Sequence, residues 1–231
     1  MEQFVIHKGE TFSRVLINQP SIDWHIIQEE GSRVCVHIIN MYMLPSYDNT
    51  PKQHRIVVEQ QGKGCTTEVY GAAFLHNTDK VEIETHVNHA VGGGQSNQLI
   101  KFVLEDYAKG RFVGDLKIAP DAQQTIAHQT NRNLLLSDDA EMRTLPQLEI
   151  YADDVKCAHG STVGVLDTNA LFYMQQRGIP LEEARMLLMF AFVGQVIDQV
   201  TLEPLRDRLH YLVEKRFRGE LNKCTGCALC K

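Results

Sequence analysis

Short runs rich in Val, Ile and Thr recur from about Phe4 to Val165, with turn residues between them, and this pattern limits the possible folds more than any other feature. They include Arg33–Ile39, His54–Val58, Thr66–Tyr70, Lys80–Val87, Leu99–Leu104, Phe112–Ile118, Thr125–His128 and Leu148–Tyr151. Gly, Asn, Asp or Pro stands between runs, and no segment of helical period is long enough to serve as a crossover. The region therefore predicts all-β structure. In the fourth run Val81, Ile83, Thr85 and Val87 point one way, and Glu82, Glu84, His86 and Asn88 the other, so one face is wet. The spacings are too irregular for a hexapeptide left-handed helix. A sandwich and a right-handed parallel β-helix both fit.

The period changes after Val165. Asp167-Thr168 offers an N-cap for a helix over Asn169–Arg177, which Gly178 and Pro180 end and restart. Leu181–Val200 is apolar nearly all round, with Leu181, Ala184, Leu188 and Ala191 on one side and Phe190, Val193, Ile197 and Val200 on another. Such a helix is buried or docked on a partner. A third helix follows Pro204, its stripe running through Leu205, Leu209, Leu212, Val213 and Phe217 to a stop at Gly219. The expected organisation is a β core over 1–165, a helical domain over 166–219 and a Cys-rich tail over 220–231.

Composition narrows the function classes. The 231 residues are 43% hydrophobic and 23% charged, the balance of a folded globular chain. The longest apolar stretch, Met186–Gly194, is less than half of the roughly 20 residues a membrane span needs. The start, Met1-Glu2-Gln3-Phe4-Val5, has no basic flank and long apolar run of a secretory signal, so a cytoplasmic chain is expected. A net charge of -6 argues against nucleic acid as a partner. The basic stretch Arg206–Arg218 carries Asp207 and Glu214 within it and reads as a solvated helix face.

Two groups of residues suggest metal chemistry. Cys224, Cys227 and Cys230 form two successive CxxC steps, a spacing that lets thiolates converge on one soft metal, although a fourth ligand is missing. Cys157 and His159 share one strand face, about 7 Å apart, and both side-chain types ligate iron. A buried cysteine and a satisfied core histidine would give the same spacing. Glu82, Glu84 and His86 form a polar ladder that reads as a solvated face. Gly92-Gly93-Gly94 and Gly62-Lys63-Gly64 fit no phosphate loop and read as turns. No GxSxG nucleophile elbow occurs.

The segment Leu148-Glu-Ile-Tyr-Ala-Asp-Asp-Val-Lys-Cys-Ala-His-Gly-Ser-Thr-Val-Gly164 closely resembles the SufD-type signature of the SufB/SufD family, scaffold subunits of the SUF iron-sulfur cluster assembly machinery. Leu171-Phe-Tyr-Met-Gln-Gln-Arg-Gly-Ile-Pro-Leu-Glu-Glu-Ala-Arg-Met-Leu-Leu188 resembles the helical segment of the same family, and Asn88-His89 and Gly110–Asp115 resemble its β core. The likeness runs from about Ile6 to Phe217. A SufB-like assignment fits less well, because the upstream cysteines Cys35 and Cys65 stand in the wrong context.

The resemblance implies a mainly β protein, a right-handed parallel β-helix followed by a small C-terminal helical domain. It implies a scaffold rather than an enzyme, pairing with a SufB-like subunit and docking a SufC-like ABC ATPase through the region of Leu181, Leu188, Phe190 and Val193. A transient iron-sulfur cluster, not permanently bound, would form at the shared interface with His159 and Cys157 contributing; a homodimer is the expectation when the partner is missing. The Cys224/Cys227/Cys230 tail and the missing N-terminal helical region depart from the family pattern, as a fragment would. The competing expectations are an electron-transfer or metal-binding protein using the tail cysteines, and a β-helix enzyme acting on polysaccharides.

Overall fold

A computed structural model describes residues 1–41 and 50–219. Its strands are β1 (Glu2–Ile6), β2 (Thr11–Ile17), β3 (Ile22–Gln28), β4 (Arg33–Met41), β5 (Lys52–Gln60), β6 (Thr66–Leu75), β7 (Lys80–His89), β8 (Gln95–Leu104), β9 (Lys109–Ile118), β10 (Thr125–Leu135), β11 (Glu141–Ile150) and β12 (Val155–Gly164). They form two six-stranded sheets, one of odd-numbered and one of even-numbered strands in simple sequence order. Each coil of chain thus lays one strand on each sheet. Every pairing is parallel, from Phe4 beside Ile26 to Gln129 beside His159. A sandwich of hairpins would pair its strands antiparallel, so the architecture is a parallel β-helix.

Parallel stacking puts like residues above one another. Phe4, Ile26, Val58, Val87, Leu116 and Leu148 form one apolar column through the odd sheet. Each fully buried member contributes roughly 1.5–3 kcal/mol from removal of apolar surface from water. In β7 the burial alternates as the sequence pattern predicts, with Val81, Ile83, Thr85 and Val87 inside. Among the described residues both end strands of the last coil have a neighbour on one side only: β11 pairs with β9 and β12 with β10. Pro146 lies in β11, beside Gly114; an edge strand tolerates proline where a central strand would lose a ladder bond.

Three helices follow: α1 (Thr168–Gln176), α2 (Leu181–Ile197) and α3 (Glu203–Phe217). Asp167 caps α1 by accepting from the amides of Asn169 at 2.8 Å and Ala170 at 3.3 Å. Gly178 takes the left-handed conformation past its end, with φ 83°. Glu182 and Glu183 in the first turn of α2 face the positive end of its dipole. The helices cover the outer face of the even sheet, where Ile39, Tyr70, Phe74 and Val103 meet Val193, Ile197, Val200 and Leu209. Beneath α2, the fully buried Lys101 donates to the Phe192 carbonyl at 2.6 Å and to Gln195 Oε1 at 2.5 Å. Burial pushes its pKa down to about 8. None of the described helices is long and apolar enough to cross a membrane.

Candidate functional site

The last coil carries the Cys/His pair. Cys157 stands beside Ala127 and His159 beside Gln129 in the β10–β12 ladder. Cys157 packs partly against the interior apolar cluster. Two residues beyond His159, Ser161 donates to Asn131 Oδ1 at 3.1 Å and bonds Thr144 Oγ1 at 2.7 Å, also inside. Period-two alternation therefore puts His159 on the same inward column. Among the described residues no coil covers this one, and His159 is exposed and Cys157 half-buried. Burial pushes the Cys157 thiol up, and a backbone hydrogen bond at Ala127 opposes the shift. A cleft of about 330 Å³ runs along the β10–β12 ladder, with His128, Arg132, His159, Ser161 and Thr162 among its lining.

Polar residues missed in the sequence make up much of this end of the β-helix interior. Asn131 and Asn133 exchange side-chain bonds at 3.1 and 2.7 Å, and Asn133 also donates to the Thr162 carbonyl at 2.9 Å. Thr85 donates to Gln98 at 2.6 Å. Gln129, 1% exposed, has neither amide atom paired; a buried unpaired polar group costs about 1–3 kcal/mol. The signal that marks this column is Gln129, Asn131 and Asn133 at alternate positions of β10, where a core strand carries apolar residues.

A second Cys-x-His pair, Cys35 and His37 on β4, takes the opposite phase and lies beneath the helices. Cys35 Sγ is 3.9 Å from His37 Nδ1, and the His37 ring packs on Tyr70 with centroids 5.0 Å apart. Burial raises the Cys35 thiol to about 11 and lowers His37. Tyr70 donates to Glu68, which also accepts from Arg33 at 2.7 Å.

The other candidates separate. Glu82, Glu84 and His86 lie on the outer face of the odd sheet in an ion-pair ladder, with Arg111 on Glu82, Arg55 on Glu84, and His86 on Glu84 at 2.5 Å and Asp115 at 3.4 Å. Among the described residues no group of three or more His, Cys, Asp or Glu is arranged to hold a metal. Cys224, Cys227 and Cys230 lie outside the described residues. On α2, Leu181 is 42% exposed and Leu188 and Phe190 are half-buried. Val193 is 1% exposed and packs inside, so it cannot itself touch a partner while the helices stay in place.

These features define a β-solenoid with a helical pack on one flank and a Cys/His pair at its open end. The family model described as "SUF system FeS cluster assembly, SufBD core domain" matches residues 25–192. The chain belongs to the SufBD core family. It is 37% identical over 166 residues to a SufBD family protein of Synechocystis, covering 71% of this chain and 36% of the relative. It is 33% identical over 167 residues to the iron-sulfur cluster assembly protein SufD of Escherichia coli, covering 72% and 40%. A chloroplastic Arabidopsis protein, ABCI7, is 35% identical over 157 residues, covering 68% and 33%. The chain thus spans well under half the length of the relatives it matches.

Proposed function

We propose that this chain is a non-enzymatic scaffold for iron-sulfur cluster assembly, resident in the cytoplasm, which holds a nascent cluster as passing cargo at a seam with a SufB-like subunit. The observation that carries the reading is the place of Cys157 and His159, on a strand that has one free edge and that ends the solenoid. An unpaired edge offers backbone donors and acceptors to a second chain. Val163 and Val165, 45% and 70% exposed, and Tyr151 at 59% supply apolar surface around it. Imidazole and thiolate are both iron ligands, and two ligands from one chain hold iron loosely enough to release it. Without the SufB-like partner, the same edge suits a second copy of this chain.

A SufC-like ABC ATPase is assigned to the outer surface of the helical pack. Leu181 there continues into Leu187, Phe172 and Tyr173, which are 38%, 63% and 60% exposed. Leu188→Asp is expected to abolish co-purification of the ATPase without unfolding the β-helix; persistent capture would move the docking face elsewhere. The reading as a whole is tested by reconstituting cluster formation with the SufB-like subunit and the ATPase. His159→Ala is expected to abolish cluster yield, and an unchanged yield would remove the site assignment.

A further inference from the structure

Gln129 is, with His54, one of two buried residues among those described whose side-chain polar atoms are all without a hydrogen-bond partner, and it alone of the two lies beside the Cys/His pair. Among its neighbours in the last coils Asn131 pairs with Asn133 and Ser161 with Thr144, while Gln98, beside it on β8, accepts from Thr85 through Oε1 and leaves its own Nε2 unpaired. Gln129 is 1% exposed and both of its amide atoms are sealed from solvent and unbonded. Space is kept for that amide. A Cβ on Gly114 would lie 2.4 Å from Gln129 Nε2, so any larger residue there would push the amide away. The strand beside Gln129 carries His159 at the matching position, about 4.8 Å away across the ladder. A buried amide retained where a leucine would pack without penalty calls for a partner, and the exposed imidazole next to it is free to turn inward.

We infer that Gln129 is a positioning residue for His159. Its Oε1 accepts the Nδ1 proton of the imidazole, Nδ1 being the ring nitrogen nearer the backbone and so nearer the neighbouring strand. Nε2 then keeps its lone pair, directed out of the open end of the solenoid. A histidine that binds a metal commonly donates its other N–H to a carbonyl, which sets tautomer and ring orientation; here the carbonyl is already in place. The inference rests on the reading of His159 as an iron ligand and says how that ligand is prepared.

The test is the tautomer of His159, read by nitrogen NMR on the full chain labelled at histidine, above the pH range where imidazole titrates and with His159→Gln to assign the signals. The wild type is expected to hold the Nδ1–H form. Gln129→Leu is expected to shift His159 toward the Nε2–H form, while Gln129→Glu, which keeps an acceptor, retains Nδ1–H. Gln129→Leu is close in volume to the wild-type side chain and is expected to keep the wild-type circular dichroism spectrum and a cooperative melt, so the shift would not come from lost structure. The same tautomer in wild type and Gln129→Leu, or an Nε2–H form in the wild type, overturns the inference. A shifted tautomer together with a His159→Ala variant that still assembles clusters would leave the positioning intact and overturn the assembly reading instead.

Discussion

The two Cys-x-His pairs of the even sheet have the same spacing and opposite circumstances. Cys35 and His37 face outward, but α2 and α3 cover them; Cys157 and His159 face inward, but among the described residues no coil covers them. Exposure follows from what lies over a residue, helix or further coil, not from the side of the sheet it occupies. Burial holds the first pair as a neutral thiol and a neutral imidazole packed on Tyr70. The second pair is reachable from outside the molecule. Identical local chemistry is structural in one place and available to a ligand in the other.

Exchanging the roles of the pairs is the strongest way to break this comparison. His37→Ala is expected to lower stability by about 1–3 kcal/mol through lost packing, while cluster yield per folded molecule stays at the wild-type level. His159→Ala should do the reverse, with a stability change of about 0.5 kcal/mol or less. A loss of yield in His37→Ala, measured against the folded fraction, would erase the distinction.

Acid titration sharpens the buried side of the comparison. His54 and His89 are sealed in the interior, and burial lowers both from 6.5 to about 4. The unfolded chain therefore binds more protons than the folded one between these values. Stability is full above about pH 6.5 and falls as the pH drops through 4, by about 3 kcal/mol per histidine. Denaturant midpoints across this range check the slope, and His89→Gln should flatten it. The smallest effect expected is kinetic. Cys157 should react with a maleimide roughly tenfold faster than Cys35 at neutral pH, as peptide mapping of partly labelled protein would show; equal rates would mean that the helices do not shield β4.

Sequence periodicity revealed the strands where one face is apolar, as in β7, because the pleat alone dictates that alternation. It could not choose between a sandwich and a β-helix, since alternation says which face is inside and nothing about which strand is the neighbour; that choice came from the family resemblance. The run beginning at Thr125 was expected to end at His128, yet β10 continues to Leu135. Asn131 and Asn133 look like turn residues, but inside a solenoid their amides satisfy each other. Lys101 was hidden for a related reason: a lysine flanked by Ile100 and Phe102 reads as a solvated position until α2 supplies two acceptors above it. The Cys157/His159 spacing was legible, whereas the competing Cys35/His37 pair and the unpaired Gln129 depend on which strands stack and what covers them.

Proline at position 146 leaves the two rims of the last coil unequal. One rim lacks an amide hydrogen partway along, and the other, from Val155 to Gly164, contains no proline. A visiting strand can zip along the second rim and is interrupted on the first. An identical copy stacked on this end would lose a ladder bond at Pro146, so growth into a fibre is disfavoured along the odd sheet.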